Sequence, residues 1–269
     1  MAIAEDTLAT SPAEALSRMR AATPLVQCIT NYVAMGYAAN VLLAAGASPA
    51  MVHAAEESGE FAAISGALTV NIGTLSPAWV EGMAAAIRGA NAAGTPWVLD
   101  PVACFATGYR KSVTRDLAAL KPAVIRGNAS EILAMGGGAG TGKGADAGDP
   151  VEAAAEAARA LAQELGCVVA VTGPEDFLTD GTRALRISGG APVMPLVTAT
   201  GCALTALTGG YAAVAQPFEA ALAALVHFAV AGERAALRAT GPGSFAPAFL
   251  DALAAVQPGD MGLGRVRAA

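Results

Sequence analysis

The stretch TATGCA at 198–203 carries residue types suited to chemistry. It runs from irregular chain into a helix-forming run, so the backbone N–H groups of Ala199, Thr200, Gly201 and Cys202 stand at a helix start without intrahelical partners. Such a terminus binds anions and stabilises the charge of a transferring phosphoryl group. Cys202 falls in the first turn, where the helix dipole is expected to lower the thiol pKa. The bland role for the same residue is a small buried cysteine that packs the helix.

Further candidates stand where apolar runs end. Asp100, opening DPV, places a carboxylate at the edge of a sheet. Arg126 closes the next apolar run, and a guanidinium among apolar residues wants an anionic partner. Asn128 and Glu131 follow with the spacing of an N-cap and N3 pair, a capping box. That structural role explains the spacing by itself; a carboxylate ordering Mg2+ through water beside nucleotide phosphates is the second role for Glu131.

Other motifs fail on spacing. GGAGTGKG at 137–144 fits G-x-x-x-x-G-K but has glycine where a P-loop needs Ser or Thr, and a helix rather than a strand leads into it. Lys143 is expected to be a solvated loop residue. His53 and His227 show no triad or metal spacing, and His227 is expected in the core. No G-x-S-x-G elbow exists, and no G-x-G-x-x-G follows the first strand.

The elements that must position these groups alternate along the chain. Strands are expected at 25–29, 68–71, 97–99, 123–126 and 168–171, with helices near 34–45, 77–93, 113–120, 129–135 and 151–165. Strands apolar throughout, each followed by a helix, predict a mainly parallel sheet covered on both faces. Segments 176–180 and 183–187 flank an Asp-Gly turn and predict a hairpin. Beyond Gly201 the chain reads as helix at 202–214, 218–238 and 246–255. Asn31, Gly73, Asp100, Asn128 and Thr172 all fall just after strands, where open α/β sheets bind ligands. One site assembled from five loops is expected. No linker is visible, so residues 1–269 should form a single domain with flexible tails at 1–11 and 259–269.

Composition narrows the class. With 54% hydrophobic and 14% charged residues the chain can bury a large core. Its apolar stretches are broken by Gly46, Ser48 and Pro49 and by Gly209, Gly210 and Pro217, short of the ~20 apolar residues of a spanning helix. A net charge of −6 argues against nucleic-acid and anionic-membrane partners. Cys28, Cys104, Cys167 and Cys202 form no C-x-x-C pair, which suits reduced thiols in a cytoplasmic protein. The N-terminus lacks the apolar region of a secretory leader.

Seven motifs in register carry a resemblance: QCITNY (27–32), GASPAM (46–51), NIGTL (71–75), DPV (100–102), VIRGNASE (124–131), VAVTG (169–173) and TGC (200–202). Over about 12–255 the chain resembles the hydroxyethylthiazole kinases, thiamin-salvage members of the ribokinase-like superfamily. The resemblance implies a three-layer α/β/α sandwich and transfer of the ATP γ-phosphoryl group to the alcohol of 5-(2-hydroxyethyl)-4-methylthiazole with Mg2+. It puts thiazole contacts on Asn31, Met51 and Ala199, and nucleotide contacts on Arg126 and Thr172. It puts Cys202 where the wider superfamily has an aspartate base, and it implies a homotrimer with sites at subunit interfaces. Asp100 and Glu131 would meet the metal through water, with the amides of Thr200 and Gly201 as anion hole. The chain departs from the family at Ala199, usually glycine, and at Ala103 and Phe105, where the loop after DPV has glycines; an added Cβ matters where φ is positive. Two other readings stay open: a kinase for a related alcohol such as hydroxymethylpyrimidine, against which the Asn31 and Met51 motifs speak, and a non-catalytic nucleotide-binding protein.

Overall fold

The computed structural model describes residues 8–138 and 151–269. Most of the GGAGTGKG motif, Lys143 included, lies outside the described residues. Among those described, one sheet contains β1 (Leu25–Ile29), β2 (Ser48–Ala50), β3 (Ala67–Asn71), β4 (Trp97–Asp100), β5 (Val124–Asn128), β6 (Val168–Thr172), β7 (Glu175–Thr179), β8 (Ala184–Ser188) and β9 (Val266–Ala268). Their order across the sheet is β2-β1-β3-β4-β5-β6-β7-β8-β9. The first six pair in parallel and the last three antiparallel. The expected Asp-Gly hairpin is β7–β8, with Asp180 bonding the Thr182 and Arg183 amides at its tip.

Helices cover both faces. On one lie α1 (Pro12–Ala22), α2 (Met35–Ala45), α8 (Thr200–Ala212), α9 (Pro217–Ala236) and α10 (Pro242–Ala255). On the other lie α3 (Ala55–Ile64), α4 (Pro77–Ala93), α5 (Gly108–Ala118), α6 (Ala129–Met135) and α7 (Val151–Leu165). The strands serve both cores by alternation, since successive side chains point to opposite faces. Val98, Val124, Val168 and Ala170 face the first set of helices, while Trp97, Leu99, Ile125, Val169 and Val171 face the second. This is the three-layer α/β/α sandwich that the pattern of apolar strands implies.

Two features of this fold position a site. The chain leaves β1 for β2 on one side, then crosses back to β3 on the other. Loops departing in opposite directions open a crevice at the carboxyl ends of β1 and β3, the switch point where α/β sheets bind ligands. Helix α8 packs over β1, β3 and β4 and brings its first turn to that edge.

The expected flexible tails need correction. The 259–269 segment folds into two 3₁₀ turns and strand β9, which pairs with β8 and buries Leu263 and Val266. Residues 8–11 are also held: Thr10 is buried, and the Ser11 side chain accepts from the Glu14 amide as the N-cap of α1. Residues 1–7 lie outside the described residues. Among the α-helices and strands described, four were not expected from the sequence, namely α1, α3, β2 and β9. Strands β2 and β9 have three residues each, and β2 contains Pro49. Runs that short carry too little periodicity to read.

Candidate active site

Each strand end delivers one polar side chain to the carboxyl edge. Asn31, just past β1, is buried, and its Nδ2 lies 2.9 Å from Asn71 Oδ1 at the end of β3. Asn71 Nδ2 in turn donates to Asp100 Oδ2 at 2.7 Å, at the end of β4. The same oxygen accepts from Thr205 Oγ1 at 2.8 Å and faces Arg126 Nη1 at 3.8 Å. Arg126 Nη2 donates to Thr172 Oγ1 at 2.5 Å, and that hydroxyl bonds the Gly127 carbonyl. Cys202, in the first turn of α8, closes the set: its Sγ accepts from Asn31 Nδ2 at 3.3 Å. Asn31, Asp100 and Cys202 therefore meet in one hydrogen-bonded chain linked by Asn71, and the Arg126–Thr172 pair joins it through the longer ion pair to Asp100, which Thr205 also holds.

The backbone at the start of α8 is shaped for close approach. Ala199 is its N-cap in the left-handed region, φ 64°, with no side-chain cap. Thr200 turns its hydroxyl back to the Val197 carbonyl at 2.6 Å, so only its amide faces the helix end. A Cβ at Gly201 would lie 2.8 Å from Arg126 Nη1; glycine here lets the guanidinium rest against the helix terminus. Ala103, in the loop after β4, is also left-handed at φ 51°.

Glu131 is a capping box completed by a distant residue. Asn128 accepts from the Glu131 amide, and Glu131 Oε2 accepts from the Asn128 amide at 2.8 Å. Its Oε1 accepts from the Ala103 amide at 2.9 Å, which fixes the strained loop. Burial, then the nearby Asp100 charge, pushes its pKa up to about 7. Burial also raises Asp100, against the pull of Arg126, Thr205 and Asn71.

The Cys202 thiol departs from expectation. Burial and then the Asp100 charge push it up to about 11, outweighing its hydrogen bonds to Asn31 and Asn71 and the Arg126 charge. The dipole effect expected from its place in the first turn does not prevail, because desolvation of a thiolate costs more than a helix terminus returns.

Met51 stands apart from this chain. It follows β2 and packs half-buried against the core on the α1, α2, α8, α9 and α10 side of the sheet. Gln27 positions that segment by donating to the Val52 and Ser58 carbonyls. The roles of Thr205, Asp176 and Arg110 had no local signal. Asp176 Oδ1 accepts from the Gly173 amide, and loss of water pushes its carboxyl up to about 7 while Arg126 pulls it down. Arg110 clamps the Ile72, Gly73 and Val102 carbonyls and so joins the loops after β3 and β4. Asn71 was legible in one respect, as a polar residue ending an apolar strand. Two open hollows, of about 400 and 580 Å³, lie at the opposite edge of the sheet around Thr95, Lys121 and Gly166 and around Arg183 and Phe218.

Known proteins share both fold and sequence with this chain. A family model described as the hydroxyethylthiazole kinase family matches residues 16–259. A hydroxyethylthiazole kinase of Gemmatimonas aurantiaca is 63% identical over 251 residues, covering 93% of this chain and 91% of that protein. The solved structure of a hydroxyethylthiazole kinase protein from Pyrococcus horikoshii matches with a TM-score of 0.88 at 38% identity, over 96% of this chain and 98% of that one. The ADP complex of Bacillus subtilis pyridoxal kinase matches with a TM-score of 0.60 at 18% identity, over 78% of this chain and 91% of that one, a likeness of fold alone. The sandwich is thus of the ribokinase-like kind, and the chain belongs to the hydroxyethylthiazole kinase family.

Proposed function

We propose that the protein transfers the γ-phosphoryl group of ATP to the alcohol of 5-(2-hydroxyethyl)-4-methylthiazole, forming the thiazole phosphate used for thiamin diphosphate. One observation carries this reading. The Arg126 guanidinium is buried against the N-terminus of α8, so two positive ends meet with Asp100, at 3.8 Å, as counter-charge. Arg126 Nε and Asp100 Oδ1 are both buried without a partner. A phosphoryl group between Arg126 and the amides of Thr200 and Gly201 relieves that arrangement.

In this reading Asn31, Met51 and Ala199 hold the thiazole, and Arg126 and Thr172 hold the nucleotide. The alcohol oxygen attacks the γ-phosphorus, and the bond to the β–γ bridging oxygen breaks, leaving its electron pair on ADP. Transfer through a loose transition state calls for positioning and charge neutralisation more than for a strong base. A thiol with its pKa near 11 stays protonated at neutral pH, so Cys202 orients the hydroxyl. The hydroxyl proton leaves late, to a phosphate oxygen.

Among the described residues no three His, Cys, Asp or Glu side chains converge as a metal cage. That suits Mg2+ carried by the nucleotide, which keeps its waters and takes one or two carboxylates. Asp100, with its unpartnered buried oxygen, and Glu131, whose carboxyl is raised by burial and then by the Asp100 charge, fit that role through water. When bound, the ion neutralises phosphate charge.

A homotrimer fits the exposure of Tyr32 and Val33, 67% and 64% accessible immediately after Asn31, where a neighbouring copy would wall the site. Four free cysteines suit the cytoplasm. No helix among the described residues is long and apolar enough to cross a membrane.

Coupled ADP release with ATP, Mg2+ and the thiazole alcohol tests the reading, beside hydroxymethylpyrimidine and a blank without acceptor. Thiazole-dependent release with the phosphate ester seen by mass is expected. Turnover with the pyrimidine alone, or with neither acceptor, overturns it.

A further inference from the structure

We propose that Asn71 is a positioning residue for this reaction: it holds the Asn31 amide so that nitrogen, and not oxygen, faces Cys202. The proposal rests on reading this edge as the phosphoryl-transfer site, and it concerns a link that is not itself placed against substrate.

The hydrogen-bond polarity is determined from both ends. Asp100 Oδ2 already accepts from Thr205, and a carboxylate only accepts, so the Asn71 atom 2.7 Å away must be its nitrogen. The other end of that amide is set independently, since Asn71 Oδ1 accepts from the Gly73 amide at 2.9 Å. Asn71 therefore presents an acceptor to Asn31, and Asn31 must answer with Nδ2. Asn31 Oδ1 is occupied by the Val33 and Ala34 amides at 3.1 and 3.0 Å. Its nitrogen has one hydrogen left, which points at Cys202 Sγ.

The sulfur is thus an acceptor toward Asn31, and its own hydrogen is left to turn toward the alcohol. Thr205 lies one helical turn beyond Cys202 on α8 and bonds Asp100, so the chain closes into a ring that also pins the helix start. There is little slack in it. A Cβ on Gly73 would come within 2.5 Å of Asn31 Nδ2. Without Asn71, the Asn31 nitrogen loses its fixed acceptor and the ring opens between β1 and β4.

A double-mutant cycle of Asn31→Ala, Asn71→Leu and the pair, read as kcat and KM, tests this. Asn71→Leu should lower kcat by about tenfold to a hundredfold, the scale of a misplaced reacting group, with KM for ATP unchanged. The double variant should lose less than the product of the two single losses; losses that multiply, or an unchanged kcat in Asn71→Leu, overturn the proposal. Should Asn71→Leu not fold, Asn71→Ala, which removes the acceptor toward Asn31 without adding bulk, must give the same kcat loss, and normal kcat there overturns the proposal. Carboxamidomethylation of Cys202 at one pH reads the same cycle without turnover, because the other three cysteines are buried. A wild type inactive on the thiazole removes the functional reading alone. The alkylation cycle still decides on Asn71: rates coupled as above support it, and independent factors overturn it.

Discussion

Burial decides how Cys202 can act. Its thiol sits under the Asp100 charge at the edge of the core, and both raise its pKa to about 11, far from what a general base at neutral pH needs. Charge neutralisation then falls to Arg126 and the helix start. Cys202→Ser should keep kcat within about tenfold of wild type, while Arg126→Ala should lose about a hundredfold or more, as when a preorganised donor is removed. Steady-state kinetics of the two variants decide the matter, and equal near-total losses would show that the thiol carries the chemistry. Strain is the second residue-scale feature. Ala199, at φ 64°, stands where glycine would adopt the same backbone freely. Ala199→Gly should stabilise the fold by up to about 1 kcal/mol in urea unfolding, the relief of a left-handed Cβ less the entropy that glycine adds to the unfolded chain. A loss of stability would mean that the methyl packs in the site.

At the scale of elements, the sheet is closed at one edge by the end of the chain. β9 pairs with β8, and Arg267 reaches Glu175 on β7 with Nη2 2.7 Å from the carboxylate. Removing residues 262–269 strips off buried Leu263 and Val266 and leaves β8 as an open edge. Two such side chains contribute about 1.5–3 kcal/mol each, so the truncated protein should melt well below the full chain and associate on size-exclusion chromatography. An unchanged melting temperature would mean that β9 adds nothing to the sheet. The Glu131 capping box works at the same scale. A local i, i+3 motif also holds the Ala103 amide on another loop, so one carboxylate starts α6 and braces the turn after β4.

The whole molecule is organised by a switch in strand order and by a buried polar joint away from it. The switch gathers side chains from β1, β3, β4 and β5 under the start of α8, while His227 joins α8, α9 and α10 within the core. Its Nδ1 lies 2.8 Å from Tyr211 Oη, and its Nε2 lies 3.0 Å from the Leu253 carbonyl. A carbonyl only accepts, so Nε2 carries the proton, Nδ1 accepts from the tyrosine, and the ring is neutral. Burial lowers its pKa from 6.5 to about 4. The unfolded chain therefore takes up the proton first, and stability falls as pH drops from about 6.5 to about 4. Against a His227→Gln variant, wild type should lose roughly 3 kcal/mol across that window in denaturant unfolding. Glu131, raised to about 7, acts in the opposite sense, with stability lost as pH rises toward 7; the variant comparison cancels that contribution. A pH-independent difference between the two proteins would show that His227 titrates normally.

What the sequence determined by itself was local or periodic. Apolar runs and helical spacing announced five of the parallel strands and, α3 apart, the helices between them. The Asp180-Gly181 turn announced the hairpin, and Asn128 with Glu131 announced a capping box, because each depends on residues a few positions apart. Even the membership of Asn31, Asp100 and Thr172 in one edge followed from their places after strands, and that of Arg126 from its place at the end of an apolar run. The tertiary structure alone decided how they connect. Asn31 meets Asn71 across 40 residues, Asn71 meets Asp100 across 29, and Asp100 meets Thr205 across 105. No local pattern encodes pairings at such separations. Burial too is a property of the assembled core, and it reversed the shift that the first turn of α8 alone suggested for Cys202. The chain's last strand gained its role the same way: three residues with almost no signal of their own, given structure by the edge of β8.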